Sequence, residues 1–303
     1  MSASAEHPEE GLRHWRGGAA PDDVWTAVDW CDVHAGPLLA ADSWRVVDGR
    51  VRGVDRHRAR FLAAIAPFRS DGGAFFDEVV AALPRTGDWF PRVELRARGI
   101  PAPTAPTVPA LGAATGLSLR LRPTPPTAEE VVVATAPHDP RTRPRVKGPD
   151  LDALQRLRTA VQPLGAGEAI ILSPEGLIVE GAYSGLVWVR PDGALVHPSA
   201  RLERIPSVTA GILLAAAAAD GAVIEATDAR PHDLDGCELW VLSALHGLRV
   251  ATSWVDGPAL VRVPGRAERA RRRLDDAATP LPGPPSATPS PGAPRQGYTH
   301  SGG

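Results

Sequence analysis

The chain has 303 residues, 43% of them hydrophobic and 22% charged, and a formal net charge of −2. That length suits one large domain or two moderate ones with well-filled cores. The near-neutral balance supplies no overall field for nucleic acid or an anionic membrane, and the longest apolar run, 211–219, is far too short to span a bilayer. No nucleic-acid or membrane partner is therefore expected.

The two cysteines, Cys31 and Cys237, are far apart and form neither a CxxC pair nor a metal-ligand set. They point to a reducing compartment rather than a disulfide framework. The opening stretch MSASAEHPEEGLRHW lacks the basic start and apolar core of a signal peptide, so a cytoplasmic location is expected. The histidines are scattered without zinc-type spacing, so no metal is expected. No nucleophile-elbow, P-loop or dinucleotide fingerprint stands in a usable context.

In chain order, residues 1–23 are polar and rich in Gly and Pro, and are expected to be loosely ordered. A small α/β domain is expected over 24–122. Within it, Ser43–Val47 and Arg50–Val54 flank Asp48-Gly49, which signals a hairpin. His57–Phe68 places Phe61, Leu62, Ile65 and Phe68 at helical core spacing, and Phe75–Leu83 reads as a second helix. Arg92–Arg98 and Leu117–Leu121 alternate as strands do. Residues 123–128, rich in Pro and Thr, read as an interdomain linker.

A larger domain is expected over 129–265. It opens with a strand, Val131–Ala134, and a helix, Asp150–Val161. Strands follow at Glu168–Leu172, Ile178–Gly181, Gly185–Val189 and Ala194–His197. Val208–Ala219 is an alanine-rich helix stopped by Asp220-Gly221. Val223–Ala226, Glu238–Ser243 and Val250–Val255 complete a mostly β domain. Residues 266–277 read as a basic end helix, and 278–303, rich in Pro, Gly, Ser and Thr, as a disordered tail. The whole predicts an α/β (α+β) chain of two domains.

Of the 33 basic Lys and Arg side chains only one, Lys147, is lysine. Alanine, glycine, arginine and proline dominate, which suggests a coding bias that uses arginine wherever positive charge suffices. Arginine stays protonated. Lysine can lose its proton when desolvated, attack a carbonyl and form a Schiff base. The ordinary reading, a surface charge left by chance, has to be weighed against the surroundings.

Four segments suit one task, the holding of pyridoxal phosphate. Arg145–Gly148 sets Lys147 between a strand and the helix near Asp150, where it can project into a cleft. Pro174–Gly181 has a tight turn at Glu175-Gly176 and a strand that delivers Glu180. A buried carboxylate beside a pyridine nitrogen keeps that nitrogen protonated, although Glu180 viewed alone reads more readily as a strand-end surface carboxylate. Arg204–Thr209 opens the alanine helix, whose free N–H groups suit a phosphate, with Ser207 as N-cap and Thr209 adding a hydroxyl. Leu242–Arg249 ends a strand in a turn, where Ser243 and backbone N–H groups form a candidate anion nest.

In this order and spacing the segments resemble the class IV aminotransferases, the fold-type IV pyridoxal-phosphate enzymes. That family includes branched-chain and D-amino-acid aminotransferases and 4-amino-4-deoxychorismate lyase. Lys147 and Glu180 stand 33 residues apart, and SPEGLIVEGAYSG and IPSVT follow in family order. WRVVDGRVRGVDRHRARF resembles the family's opening, and Arg96–Gly99 resembles its strand ending in R-G. The resemblance covers residues 40–257.

The resemblance implies two domains with the cofactor cleft between them, a homodimer, a small-molecule amino substrate and pyridoxal 5'-phosphate as cofactor. It makes Lys147 the catalytic residue. Arg60, Lys147, Glu180, Val208, Thr209, Ser243 and Ala244 become cofactor ligands, and Arg98 and Arg249 candidates for a substrate carboxylate. The activity implied is amino-group transfer between an amino acid and a keto acid. Two alternatives stay open: elimination of the aminodeoxychorismate-lyase type, giving pyruvate and 4-aminobenzoate, and a non-catalytic descendant. They rest on departures from the pattern. Gly185 stands where the family has asparagine, Ser207 where it has glycine, and Ala210 where it has arginine. The tyrosine that the branched-chain and D-amino-acid enzymes place just after their lysine is missing. Asp150 and Leu151 occupy that region, and SALHGLRVATSW resembles the lyase branch.

Overall fold

A computed structural model describes residues 10–17, 24–28, 36–98 and 114–283. The N-terminal part begins with strands β1 (Gly11–Trp15), β2 (Trp25–Val28) and β3 (Leu38–Ser43), then the short pair β4 (Val46–Val47) and β5 (Arg50–Arg52). Asp48 and Gly49 both adopt positive φ, 47° and 69°, as a two-residue hairpin turn that follows strand twist requires. Helices α1 (Val54–Ile65) and α2 (Gly72–Ala82) follow, then β6 (Asp88–Trp89), β7 (Arg92–Ala97) and β8 (Thr115–Leu121).

Five of these strands make an antiparallel sheet in the order β2-β1-β8-β7-β3. One of its faces packs Val93, Leu95, Leu117, Leu119 and Leu121 against Phe61, Ile65, Phe75 and Phe76 of the two helices. Phe75 is fully buried, with Trp15, Trp25 and Phe61 rings 5.6–6.0 Å away.

The second part is built on one eight-stranded mixed sheet. Its elements are β9 (Glu130–Thr135), α3 (Leu151–Val161), β10 (Glu168–Leu172), β11 (Ile178–Gly181), β12 (Gly185–Val189), β13 (Leu195–Pro198), α4 (Val208–Ala219), β14 (Ile224–Thr227), β15 (Glu238–Ser243) and β16 (Gly247–Val255). The strand order is β11-β10-β9-β16-β15-β12-β13-β14. The pairs β9/β10, β9/β16 and β13/β14 are parallel and the rest antiparallel. Near-continuous apolar strands such as Gly185–Val189 and Glu238–Ser243 are buried on both faces, which accounts for their lack of alternation. α4 covers one face with Val208, Ile212, Leu213 and Ala217. No described helix is long and apolar enough to cross a membrane.

Three expectations are corrected. Residues 11–15, read as loosely ordered, form β1, because the strand pairs on both sides with β2 and β8 and carries Trp15 into the aromatic core. The tail does not begin at 278. After α5 (Arg266–Asp276) comes β17 (Ala278–Pro280), which pairs with β5, and Leu281 is buried in the N-terminal core. The expected strand Ser43–Val47 is split between β3 and β4, which belong to different sheets. The remaining tail, 284–303, the start of the chain, 1–9, Cys31 and Gly99 lie outside the described residues, while Cys237 is buried and unpaired.

Phe75 is the keystone of the N-terminal core. Phe75→Ala is expected to destabilise the protein by about 3–5 kcal/mol, a loss measurable by chemical denaturation.

Candidate active site

The loop carrying Lys147 is tied down from both ends. Asp150, buried at the start of α3, accepts the Thr142 and Arg143 N–H groups at 3.0 and 2.9 Å and the Thr142 hydroxyl at 2.7 Å. From the N-terminal sheet the Ala41 N–H donates to the Lys147 carbonyl at 2.7 Å. Gly148 makes this approach possible. Its φ is +129°, and a Cβ there would sit 2.6 Å from the Ala41 nitrogen and 2.8 Å from the Ala40 carbonyl carbon.

Lys147 projects into a cavity lined by Arg60, Glu180, Ser184, Val208, Thr209, Ser243 and Ala244. Every sequence-predicted cofactor ligand is therefore brought to one place. The Lys147 side chain is half-buried because the cavity it lines admits water, yet its ammonium lies deep. Burial first, then the nearby Arg60 charge, pushes its pKa down to about 8, against the pull of Asp42. Among the described residues the ammonium makes no hydrogen bond or salt bridge, so the amine is left available.

Glu180 lies buried on β11. Its Oε1 accepts from Arg141 Nη1 at 2.7 Å and its Oε2 from the Ile205 N–H at 3.3 Å. Burial pushes the carboxyl up to about 7, opposed by the Arg141 charge. Arg141 is itself held by both oxygens of Asp139.

On the opposite side, α4 begins at Ser207, whose side chain accepts from the Ala210 N–H. The first-turn N–H groups of Val208 and Thr209 have no intrahelical acceptor, as at any helix start, and carry the positive end of the helix dipole. Ser243 Oγ accepts from the His246 N–H at 3.2 Å, which leaves its own proton free to donate.

Arg60 lines the cavity but does not wait there unpaired. Its Nε and Nη2 reach Asp42 at 2.8 and 2.7 Å, and its Nη1 reaches the Pro206 carbonyl at 2.7 Å. Nη2 also lies 3.4 Å from His57 Nδ1, so Nη1 is the nitrogen that keeps a second N–H for a ligand. The two arginines foreseen for a substrate carboxylate are placed differently. Arg98 lines neither this cavity nor the adjoining one and packs over Gly116. Arg249 is buried and already neutralised by Glu168 at 2.9 Å, because β16 and β10, which carries Glu168, flank β9 in the same sheet.

Sequence reasoning overlooked four residues. Arg141 stood among several arginines with nothing to set it apart. Ser184 lay inside a recognised motif; its buried hydroxyl has no partner and lines the cavity. Asp42, near the end of β3, has no sequence signal that sets it apart. Tyr183, one of only two tyrosines in the chain, has one phenolic proton, with Gln155 Oε1 at 2.8 Å and the Leu151 carbonyl at 3.3 Å as its acceptors. It thus brings a phenol to the region where the missing family tyrosine was noted. Burial pushes its pKa up to about 12, so it stays neutral.

Two other departures compensate each other. A Cβ at Gly185 would lie 2.7 Å from the Ser207 Cβ. Where the resemblance implies a larger residue at 185 and glycine at 207, this chain has glycine and serine, so the same contact is filled from the other side.

Gly148→Ala is expected to lower stability by about 1–3 kcal/mol beyond the loss in Gly193→Ala, which shares positive φ but meets open space. Paired thermal or denaturant melts measure the difference.

A family model described as amino-transferase class IV matches residues 39–254. Solved structures with the same fold include three with good overlap. The branched-chain aminotransferase of the archaeon Thermoproteus uzoniensis with norvaline is 18% identical, has a TM-score of 0.73, and covers 89% of this chain and 99% of its own. A PLP-bound aminotransferase from Brucella abortus is 16% identical, with a TM-score of 0.70 over 88% and 98%. A PLP-bound hypothetical aminotransferase from Mycobacterium tuberculosis is 19% identical, with a TM-score of 0.62 over 78% and 88%. No curated protein matches the sequence at a significant level. With most of its length matched by the family model, the chain belongs to the class IV aminotransferases, which are pyridoxal-phosphate-dependent enzymes.

Proposed function

We propose that Lys147 is the residue to which pyridoxal phosphate is joined, and that the chain transfers an amino group between an amino acid and a keto acid. The observation that supports this most is the unpaired, buried Lys147 ammonium, facing a cavity whose walls carry Glu180 and the start of α4. The residues fit the cofactor. The Ser184 hydroxyl is buried without a partner in that cavity, and the α4 N-terminus, Ser243 and the spare Arg60 Nη1 donor can receive a phosphate dianion. Glu180 would face the pyridine nitrogen.

When bound, pyridoxal phosphate supplies an electron sink for the substrate carbanion. The chain's own residues do the rest. Arg141 offsets part of the cost of burying Glu180, whose pKa is still pushed up to about 7, and in its carboxylate form Glu180 can hold a proton on a neighbouring nitrogen. The Lys147 amine, close to neutral because of desolvation, takes the α-proton from the substrate and returns it. Tyr183 and Leu151 line the side of the cavity that adjoins the lysine loop. The homodimer and the cytoplasmic location implied by the resemblance belong to the same reading, and light scattering of the purified protein tests the first.

Borohydride treatment of the holoenzyme is expected to fix one pyridoxyl group on Lys147, located by peptide mapping. Lys147→Arg should remove the adduct and lower amino transfer by at least about a thousandfold. Normal turnover in Lys147→Arg would overturn the proposal. Pyruvate release from aminodeoxychorismate without added keto acid would instead indicate elimination.

The pH dependence follows from the Lys147 shift. A lysine pKa lowered from 10.5 to about 8 means the amine is protonated below that pH and free above it. Adduct formation by the apoprotein should therefore rise through pH 8 and level off by pH 9, well before an unperturbed lysine would titrate.

A further inference from the structure

The turn 181–184, between β11 and β12, carries two of the cavity's polar groups. Glu180 comes just before it, and Ser184, with its buried and unpartnered hydroxyl, ends it. All four N–H groups of the turn have acceptors. The Gly181 N–H donates to the Ser184 carbonyl at 2.8 Å and the Ser184 N–H to the Gly181 carbonyl at 3.2 Å. The Ala182 N–H donates to the Ala169 carbonyl at 2.8 Å. The Tyr183 N–H is the one that ends on a side chain, at Glu168 Oε1, 3.2 Å away. Glu168 itself lines a second cavity, of about 460 Å³, which meets the first at Lys147, Tyr183 and Ser243.

Glu168 is 1% exposed and opens β10, the strand that pairs with β11. Its Oε2 accepts from Arg249 Nη2 at 2.9 Å, which pairs the buried charge and leaves Oε1 for the turn. A Cβ on Gly181 would stand 3.2 Å from Glu168 Cγ and 2.2 Å from Ser184 Oγ. Glycine therefore lets the carboxylate stem and the serine hydroxyl close on one point of the backbone. Tyr183 anchors the opposite side of the turn through its ring. The phenol reaches Gln155 Oε1 on α3 at 2.8 Å, and the Arg158 guanidinium, also on α3, lies 5.9 Å over the ring. The turn is held between β10 and α3, and α3 follows directly on the lysine loop.

We propose that Glu168 is a positioning residue for the cofactor: by accepting the Tyr183 N–H it holds the turn 181–184 so that Glu180 and the Ser184 hydroxyl, at its two ends, face the bound ring together. Arg249 supports this by pairing the Glu168 charge inside the protein. The proposal rests on the cofactor reading above for what occupies the cavity. It gives the Glu168–Arg249 pair a task beyond stability. A buried ion pair is often no more stabilising than apolar residues of the same volume, whereas an acceptor placed on one turn N–H fixes direction as well as distance.

The test separates the acceptor from the charge. In an Arg249→Met background, Glu168→Gln keeps an acceptor for the Tyr183 N–H and Glu168→Met removes it, while neither double variant leaves a buried charge unpaired. The full-length protein is loaded with pyridoxamine 5'-phosphate, which needs no bond to Lys147, and its dissociation constant is read from cofactor fluorescence on dilution. The Met double is expected to bind it roughly 5- to 50-fold more weakly than the Gln double. The pH midpoint of the absorbance change of bound pyridoxal phosphate should shift in the Met double and not in the Gln double, because Glu180 moves with the turn. Equal dissociation constants in the two doubles overturn the proposal. So does a lower melting temperature in the Met double with binding and absorbance unchanged, which is the mark of a purely structural pair. If the Met double does not fold, Glu168→Asp replaces it, since it keeps the charge but draws the carboxylate one methylene back from the turn. An unchanged dissociation constant in that variant overturns the proposal equally. The two readings fail separately. The expected difference between the doubles without a borohydride adduct on Lys147 overturns the Lys147 reading and leaves this one. A normal adduct with equal doubles does the reverse.

Discussion

A single buried carboxylate, Asp42, ties the N-terminal sheet to the site. It is fully buried at the end of β3 and is gripped by Arg60 through two hydrogen bonds and by His57 Nδ1 at 2.9 Å. Burial alone would raise its pKa, but Arg60 and His57 outweigh that and hold it far below the usual carboxylate range. Arg60 then reaches across to the Pro206 carbonyl, one residue before the N-cap of α4. The N-terminal sheet, α1 and the start of α4 are thereby fixed to one another through one ion pair. Removing either partner would leave an uncompensated charge inside the protein, an effect of about 3–5 kcal/mol in comparable cases. The side chain that sequence resemblance marked as a phosphate ligand is thus equally a structural strut.

The chemistry at Lys147 depends on the same construction. The Ala41–Lys147 backbone hydrogen bond, one residue from Asp42, keeps the lysine loop against β3, and Gly148 allows the contact. Desolvation there lowers the lysine and raises Glu180, bringing two groups of opposite reference behaviour to within about one unit of each other near neutral pH. Pairs whose environments move their pKa values in this way are a recurring arrangement at sites of proton transfer. Of the departures that left a non-catalytic descendant open, Gly185 and Ala210, the first has a local physical explanation, since Gly185 and Ser207 exchange bulk across one contact. Tyr183 brings a phenol to the region next to α3, where the missing family tyrosine had favoured elimination.

The arginine-rich face of the N-terminal sheet shows how pattern and meaning can diverge. Alternation in Arg92–Arg98 and at Arg120 and Arg122 has the period of a strand with one polar side, and polar sides ordinarily face water. Here that side faces the cavity beside Lys147, because α3 and the turn between β15 and β16 stand across the cavity from it. Burial changes the significance of each charge. Glu94 is committed to Arg92 and Arg96, and Arg122 is left without an acid of its own.

Local chemistry was readable directly from the chain. The strands Glu168–Leu172, Ile178–Gly181, Gly185–Val189 and Glu238–Ser243 and the helix Val208–Ala219 have the bounds their composition implies, since apolar runs, capping serine and stopping Asp-Gly act within a few residues. The order of Lys147, Glu180 and the α4 start was legible for the same reason. Pairing between distant segments was not. Nothing local marks Gly11–Trp15 or Ala278–Pro280 as strands, because their partners lie up to hundreds of residues away. Nor does spacing reveal that Arg249 is neutralised by Glu168 while Arg122 is not. Which charge is paired, and which is left facing the cavity, is a property of contacts between sheets, so only the tertiary structure decides it.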